Sequence, residues 1–319
     1  MDNKVLSSIE QVIETSKFVE INKDKIKEFG RSLDDCKTKF WLDQAPICLG
    51  NFNQKERLIL SFLFSSVNFC YWGDPKWTIE YEGKFFDGAW GMLAAIKRAY
   101  ENRMPILDTE YLARISEDDF RKILAGNTEI PLFKERLNIF REVGEVISKK
   151  YYGDFFNLIK ESGFDALELL DIIVDNFSSF DDVVIYKGNK VFFLKRAQLA
   201  IFDIYQILLG NGFCELASID KLTAFADYKL PQVLRKMKIL SYAPELSYEV
   251  DNRIIIKAGS DKEIEIRANT IKAVEMIKEM AQLNNPQITS AYIDSYLWLL
   301  GQDKSPDDSP YHLTRTIFY

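Results

Sequence analysis

Apolar residues recur at helical spacing over most of this sequence, and β-rich runs are confined to two short stretches. That imbalance constrains the fold most strongly. A helix with one apolar stripe buries it against other helices, whereas a sheet needs alternating runs that are scarce here. The spacing predicts helices over residues 54–72, over 87–103 (stopped by Pro105), from the S-E-D-D cap at Ser116 to near Gly126, and from Pro131 through P-L-F-K-E-R-L-N-I-F-R-E-V-G-E-V-I. Further helices are expected over 165–177, over 195–210 ended by Gly210, from the Ser260/Glu263 capping box to about Gln282, and over 287–300. K-G-N-K between two β-rich runs predicts a hairpin over 183–194, and L-S-Y-E-V-D-N-R-I-I-I-K suggests a small β element over 246–257. The C-terminal tail is irregular but ends in aromatic residues, which predicts that it docks on the body. With no repeat, low-complexity tract or linker, the simplest reading is one mainly α domain over 1–319 with a few short β-strands.

Charge and composition exclude several classes. The net charge is −7 and the pI about 5.1, so the chain repels polyanions at long range and extended nucleic acid is not an expected partner. A small substrate with a single phosphate needs only one or two local cations. Aromatic residues make up 13% of the chain. They fill cores, and they also supply the flat walls of a nucleobase pocket. Cys36, Cys48, Cys70 and Cys214 form no C-x-x-C, and His312 is the only histidine, so no metal site and no cofactor is expected. The N-terminal residues lack an apolar signal core, and the longest apolar run, residues 58–72, is too short and too polar at Asn68 to span a membrane. A cytoplasmic protein, monomeric by default, is the expectation.

One joint between helices raises a question of chemistry. In L-T-A-F-A-D-Y-K-L-P-Q-V-L (residues 222–234), Asp227 separates two short apolar segments. The plain reading is a helix cap or Asx turn. The alternative is a carboxylate held at a fixed point in a pocket.

Six motifs occur in one order: N-F-C-Y-W-G-D-P-K-W (68–77), K-R-A-Q-L-A-I-F-D (195–203), the Asp227 segment, E-I-E-I-R-A-N-T-I-K-A-V-E (263–275), I-D-S-Y-L-W (293–298) and Y-H-L-T-R-T-I-F-Y (311–319). Together they resemble the queuosine salvage protein family, the queuosine 5′-phosphate N-glycosylase/hydrolases, from about residue 40 onward. The resemblance implies a helical fold related to helix-hairpin-helix DNA glycosylases. It implies release of queuine, a 7-deazaguanine base, from its ribonucleotide. The family's essential Asp falls on Asp227 and its pocket Lys on Lys195. Two positions depart from the family pattern: Ala45-Pro46 where a His-Pro pair is expected, and Tyr311 where a second histidine is expected.

The chemistry suits these residues. Cleaving an N-glycosidic bond develops positive charge at the ribose anomeric carbon, which a carboxylate stabilises or attacks. Asp227 is the candidate, and Lys195 is expected to orient it or to hold a substrate oxygen; a surface lysine is the plain alternative. Queuine carries a secondary amine, for which Asp294 or Asp203 is a candidate partner. Phe225, Tyr228 and Trp72 are candidates to sandwich the base, with Asn68 a further substrate contact, and Arg315 with His312 to hold the 5′-phosphate. Glu263, Glu265 and Arg267 read as structural charge pairs. Two rival classes are a DNA glycosylase proper and a non-catalytic base-binding protein.

Overall fold

The computed structural model describes residues 3–33, 40–48, 52–210, 212, 215–303 and 308–319. Helices make up 56% of it, and the strands among these residues are short and antiparallel, as the spacing of apolar residues led us to expect. The chain opens with α1 (Lys4–Glu14), β1 (Val19–Ile21), α2 (Lys23–Arg31) and a 3-10 turn at Trp41–Gln44. It continues with α3 (Gln54–Ser66), β2 (Thr78–Tyr81), β3 (Lys84–Asp87) and α4 (Gly88–Glu101). Five helices follow: α5 (Thr109–Arg114), α6 (Glu117–Ile123), α7 (Phe133–Lys150), α8 (Phe155–Glu161) and α9 (Ala166–Asn176). Then come β4 (Val183–Tyr186), β5 (Asn189–Phe192), α10 (Lys195–Gly210), α11 (Lys229–Lys236), β6 (Leu240–Tyr242), α12 (Pro244–Asp251), α13 (Asp261–Ala281) and α14 (Ser290–Leu300).

α10 and α13 are buried around most of their circumference rather than along one stripe, the pattern of helices enclosed by others. α10 packs on α3 and α9; α13 packs on α1, α2, α11 and α14. Buried apolar residues from Val5 to Leu313 form one contiguous core. β1 pairs with β6, Val19 opposite Tyr242, and so ties the first helices to the C-terminal half.

The expected hairpin is β4–β5. Its central residues Lys187 and Gly188 both have positive φ, 46° and 87°, the geometry that matches strand twist in a two-residue turn. A second hairpin, β2–β3, turns through Glu82 and Gly83 in the same way; its lone glycine is a weak signal. Over 246–257 the expected β element does not form. Pro244 sits in the first turn of α12, and Leu246 and Val250, four apart, are buried on one face, so the helical period wins over the apparent alternation. Only an isolated bridge remains there, Ile255 with Leu313. The tail docks as expected: the Cys70 N–H donates to the Tyr319 carbonyl at 2.8 Å, and the Ile256 N–H to that of Leu313 at 2.8 Å. Cys48 and Cys70 are free thiols; Cys36 and Cys214 lie outside the described residues.

Candidate active site

The run over 58–72 does not stay helical. α3 ends at Ser66, and the carbonyls freed there are taken by buried arginines. Arg136 of α7 donates to Val67, Phe69 and Cys70, while Arg196 of α10 donates to Ser66 and Ser179. Helix ends leave carbonyls unsatisfied, and a guanidinium fork can meet several at once. Phe69 lies between the two cations, its ring 4.1 Å from Arg136 and 5.1 Å from Arg196. The clamp leaves the chain from Asn68 to Trp72 irregular, and that stretch forms a wall of a cleft.

The cleft has two hollows that share Asn68, Lys195, Asp227 and Trp298. The narrow hollow holds about 390 Å³ of empty space and is otherwise lined by Trp41, Phe64, Leu199, Phe225, Asp294 and Ser295. The wide one holds about 700 Å³; Tyr71, Trp72, Lys76, Gly88, Ala89, Tyr228, Lys229, Tyr311 and Tyr319 are among its walls. The neck between them is therefore polar and charged, whereas the narrow hollow is largely aromatic.

Asp227 answers to both readings of its position. Its Oδ1 accepts the backbone N–H groups of Lys229 and Leu230 at 2.7 and 3.0 Å, capping the start of α11. No described group donates to Oδ2, and the carboxylate lines both hollows. The cap thus anchors one oxygen and leaves the other for a ligand. Lys195 opens α10 and is 4% exposed. Burial pushes its ammonium pKa down, against the pull of Asp227 and Asp294. Among the described residues Lys195 forms no ion pair within 4.0 Å; it lines the neck together with Asp227, which acts on it through its charge.

A buried ion pair ties these two residues into one frame. Asp182 takes both Nη groups of Arg267, at 3.0 and 2.5 Å, and its Oδ2 also accepts the Lys195 N–H at 3.4 Å. Arg267 Nε donates to the Ala226 carbonyl at 3.2 Å. Burial works against the Arg267 charge, yet Asp182 and Glu263 outweigh it and hold the guanidinium above its ordinary pKa. The reading of Glu263 and Arg267 as a structural pair on α13 fits their 3.5 Å contact. Glu265 fastens the loop before β1 by accepting the N–H groups of Lys17 and Phe18.

The remaining expected site residues divide. Asp294, on α14, lines the narrow hollow, and its Oδ1 accepts the Phe225 N–H at 2.7 Å. Burial, and next the Asp227 charge, push its carboxyl well above the usual range. Asp203 does not reach either hollow. It lies fully buried behind the wall, where it accepts Trp41 Nε1–H at 2.7 Å and the Ser61 and Ser65 hydroxyls. Burial raises its pKa to about 7 despite those bonds. It fixes the indole that walls the hollow instead of meeting a ligand. Phe225 faces the narrow hollow, while Tyr228 and Trp72 face the wide one, so the three do not sandwich one ring. The aromatic walls beside Phe225 are Trp41, Phe64 and Trp298, with Trp41 5.0 Å from Phe64 and 5.9 Å from Trp298.

His312 does not reach the cleft either. It is 1% exposed, and its Nε2 meets the Tyr319 hydroxyl at 3.2 Å. Burial, with Arg267 adding, lowers its pKa to about 3, so it is neutral near pH 7 and is no cation for a phosphate. Arg315 is exposed, its guanidinium 5.2 Å from the ring of Trp72, which lines the wide hollow, but Arg315 itself lines neither hollow. The histidine leaves a measurable trace. The unfolded chain takes a proton on His312 below about pH 6.5 and the folded one only near pH 3, so its contribution is present above pH 6.5 and lost as pH falls through that window. Asp203, with its raised pKa, acts oppositely, so the comparison needs a variant. Between about pH 6 and pH 5 the wild type is expected to lose about 1 kcal/mol more stability in urea unfolding than His312→Gln; parallel curves contradict the buried neutral ring.

With this geometry in place, similarity to known proteins decides the family. The family described as "Queuosine salvage protein" matches residues 51–319. The chain belongs to that family. A relative named queuosine 5′-phosphate N-glycosylase/hydrolase from Sphaerobacter thermophilus is 44% identical over 257 residues, covering 81% of this chain and 80% of its own. Relatives of the same name from Bos taurus (33% over 273 residues, 81% and 80%) and Dictyostelium discoideum (30% over 319 residues, 95% and 95%) are similar too.

In this family member the residues that sequence reasoning passed over are mostly walls and clamps. Trp298 and Tyr311 stand inside quoted motifs but look like core aromatics until the cleft is seen. Tyr311 lies 4.7 Å from Tyr228, ring to ring. Ala45, the other departure from the family pattern, lines neither hollow. Lys76 and Lys229 also stand inside quoted motifs, 68–77 and 222–234, where neither was given a role. Arg136 carries no motif at all; a lone Arg amid the apolar face of an amphipathic segment was its only signal.

Proposed function

We propose that this chain hydrolyses the N-glycosidic bond of queuosine 5′-phosphate to release queuine, with residues 1–319 acting as one catalytic unit. What carries the proposal is the convergence of Asp227, Lys195 and Asn68 on the neck between an aromatic hollow and one that bears cations, in a chain of this family. The base occupies the narrow hollow, between rings suited to its flat face. The ribose lies at the neck with its anomeric carbon toward Asp227 Oδ2. As the bond breaks, charge develops on the sugar, and a carboxylate already fixed by two N–H bonds stabilises it with little reorganisation. Lys195 holds a sugar oxygen and keeps the neck close to neutral. The reaction we propose needs no cofactor and takes place in a cytoplasmic monomer. Among the described residues no three His, Cys, Asp or Glu side chains gather as metal ligands, and no helix is long and apolar enough to cross a membrane.

The 5′-phosphate belongs in the wide hollow, because its walls add Lys76 and Lys229 to the shared Lys195 and so outnumber its two carboxyl groups, Asp87 and Asp227, whereas the narrow one sets Asp227 and Asp294 against Lys195 alone. Gly88 and Ala89, the first residues of α4, line the wide hollow, and Asp87 at the N-cap makes no capping bond to them. Helix N-termini attract anions. Lys76, which bonds Asp87 at 2.6 Å, and Lys229 stand on the same walls, and Trp72 Nε1 is buried there without a partner among the described residues. Arg315 is the outer cation, acting through Trp72.

The test is release of free base, followed by chromatography, from queuosine 5′-phosphate, from queuosine and from a DNA duplex carrying a damaged base. DNA belongs in the set because of the kinship with helix-hairpin-helix DNA glycosylases that the resemblance implied. The nucleotide is expected to be the preferred substrate and the duplex inert, as the acidic surface requires. Lys229→Met is expected to reduce the preference for nucleotide over nucleoside by about tenfold, one charge-assisted hydrogen bond. Equal efficiency on both substrates in the wild type contradicts the phosphate placement; cleavage of the duplex alone contradicts the function.

A further inference from the structure

A 7-deazapurine has a carbon where a purine carries N7, the usual site for protonating a departing base. The proton must reach another atom of the ring, from within the hollow that holds it. We propose that Asp294 is the general acid of the reaction, giving the departing base its proton. This rests on the base occupying the narrow hollow.

Few groups lining that hollow carry a transferable proton. Besides Asp227, which meets the sugar at the neck, the acidic or hydroxyl groups among the described residues are Lys195, Asp294 and the Ser295 hydroxyl. Lys195 is shared with the neck, where the sugar lies, and a serine hydroxyl is too weak an acid. Asp294 lines the narrow hollow alone and not the wide one. One oxygen is committed: Oδ1 takes the Phe225 N–H at 2.7 Å. No described group donates to the other, which is where a carboxylic proton can reside. The side chain is 5% exposed, and burial together with the Asp227 charge favours its neutral form, outweighing the Phe225 N–H and Lys195. The two carboxyl groups that line the narrow hollow therefore sit in unlike surroundings, Asp227 on the N–H groups of a helix start and Asp294 among aromatic walls. Such a difference separates an acid from a charge stabiliser.

The step balances without another reactant. The C1′–N bond breaks, its electron pair goes to the base, and the base takes the proton of Asp294. The cationic sugar faces Asp227. Water then adds to C1′, and the proton it sheds returns to the Asp294 carboxylate, leaving base and ribose 5-phosphate.

Asp294→Asn separates this role from others, because it keeps size and an oxygen for the Phe225 N–H but has no acidic proton. Single-turnover cleavage of queuosine 5′-phosphate and equilibrium binding of the same nucleotide are measured side by side. Cleavage is expected to fall at least about 100-fold with binding changed by less than about threefold, and Asp294→Glu to recover part of the rate. Weakened binding with unimpaired cleavage of bound nucleotide makes Asp294 the partner of the ligand's amine and overturns the proposal. Near wild-type values of both make it structural and overturn it too. If Asp294→Asn does not fold, Asp294→Glu decides: a folded variant that cleaves at the wild-type rate despite the displaced carboxyl contradicts an acid that must be aimed. A wild type that releases no base is a different failure, of the function itself.

Discussion

Asp227→Asn is expected to fold, to bind queuosine 5′-phosphate, and to turn it over roughly two to four orders of magnitude more slowly than the wild type. Asparagine keeps an oxygen for the Lys229 and Leu230 N–H groups that Asp227 Oδ1 accepts. The start of α11 therefore stays capped, and stability changes by about 1 kcal/mol or less. Only the negative charge is removed. Ground-state ribose carries no charge for it to meet, so binding survives while the transition state loses its stabiliser. Single-turnover rates measured beside equilibrium binding check this. A variant that folds, binds and cleaves at the wild-type rate shows that the cap is the residue's whole role.

The second large effect lies behind the cleft. Asp182→Ala is expected to cost about 3–5 kcal/mol, measured by denaturant unfolding, because it leaves the buried Arg267 guanidinium without its bidentate partner. Glu263, 3.5 Å away, is a weaker substitute. Activity should suffer beyond what instability explains. The Asp182–Arg267 pair joins the first N–H of α10, at Lys195, to the carbonyl of Ala226, the neighbour of Asp227. Replacing both members by apolar residues, as in Asp182→Leu with Arg267→Met, is expected to restore most of the stability but not the rate. Recovery of both makes the pair a packing device; recovery of neither points to a role for the charges in folding itself.

The helices were largely legible from apolar spacing and caps, since local chemistry dictates both. Ser116 and Ser260 cap α6 and α13 where the sequence placed them. The β4–β5 hairpin was legible for the same reason: two positive φ values at K-G demand that turn. The irregular stretch over 67–72 was not. Nothing local ends α3 at Ser66; the ending depends on Arg136 and Arg196, which arrive from 66 and 130 or more residues away. At the site, motif order led to Asp227, Lys195, Asn68, Phe225 and Asp294, all of which line the narrow hollow. His312 and Asp203 were misplaced because a sequence cannot say which face of the backbone looks inward. Both are buried polar groups with partners, and they support the wall from behind. The phosphate end was harder still, since the features proposed for it are a helix start with no side-chain cap bond and two lysines, Lys76 and Lys229, that sit inside quoted motifs but carry no local sign of facing a pocket.

The most direct measurement is a structure of Asp227→Asn with uncleaved queuosine 5′-phosphate bound. The expected result places the base among Trp41, Phe64, Phe225 and Trp298, C1′ of the ribose against residue 227, and the phosphate in the wide hollow at the first turn of α4. A nucleotide bound with its sugar away from residue 227, or with its base in the wide hollow, contradicts the assignment of Asp227 as the group that meets the developing charge.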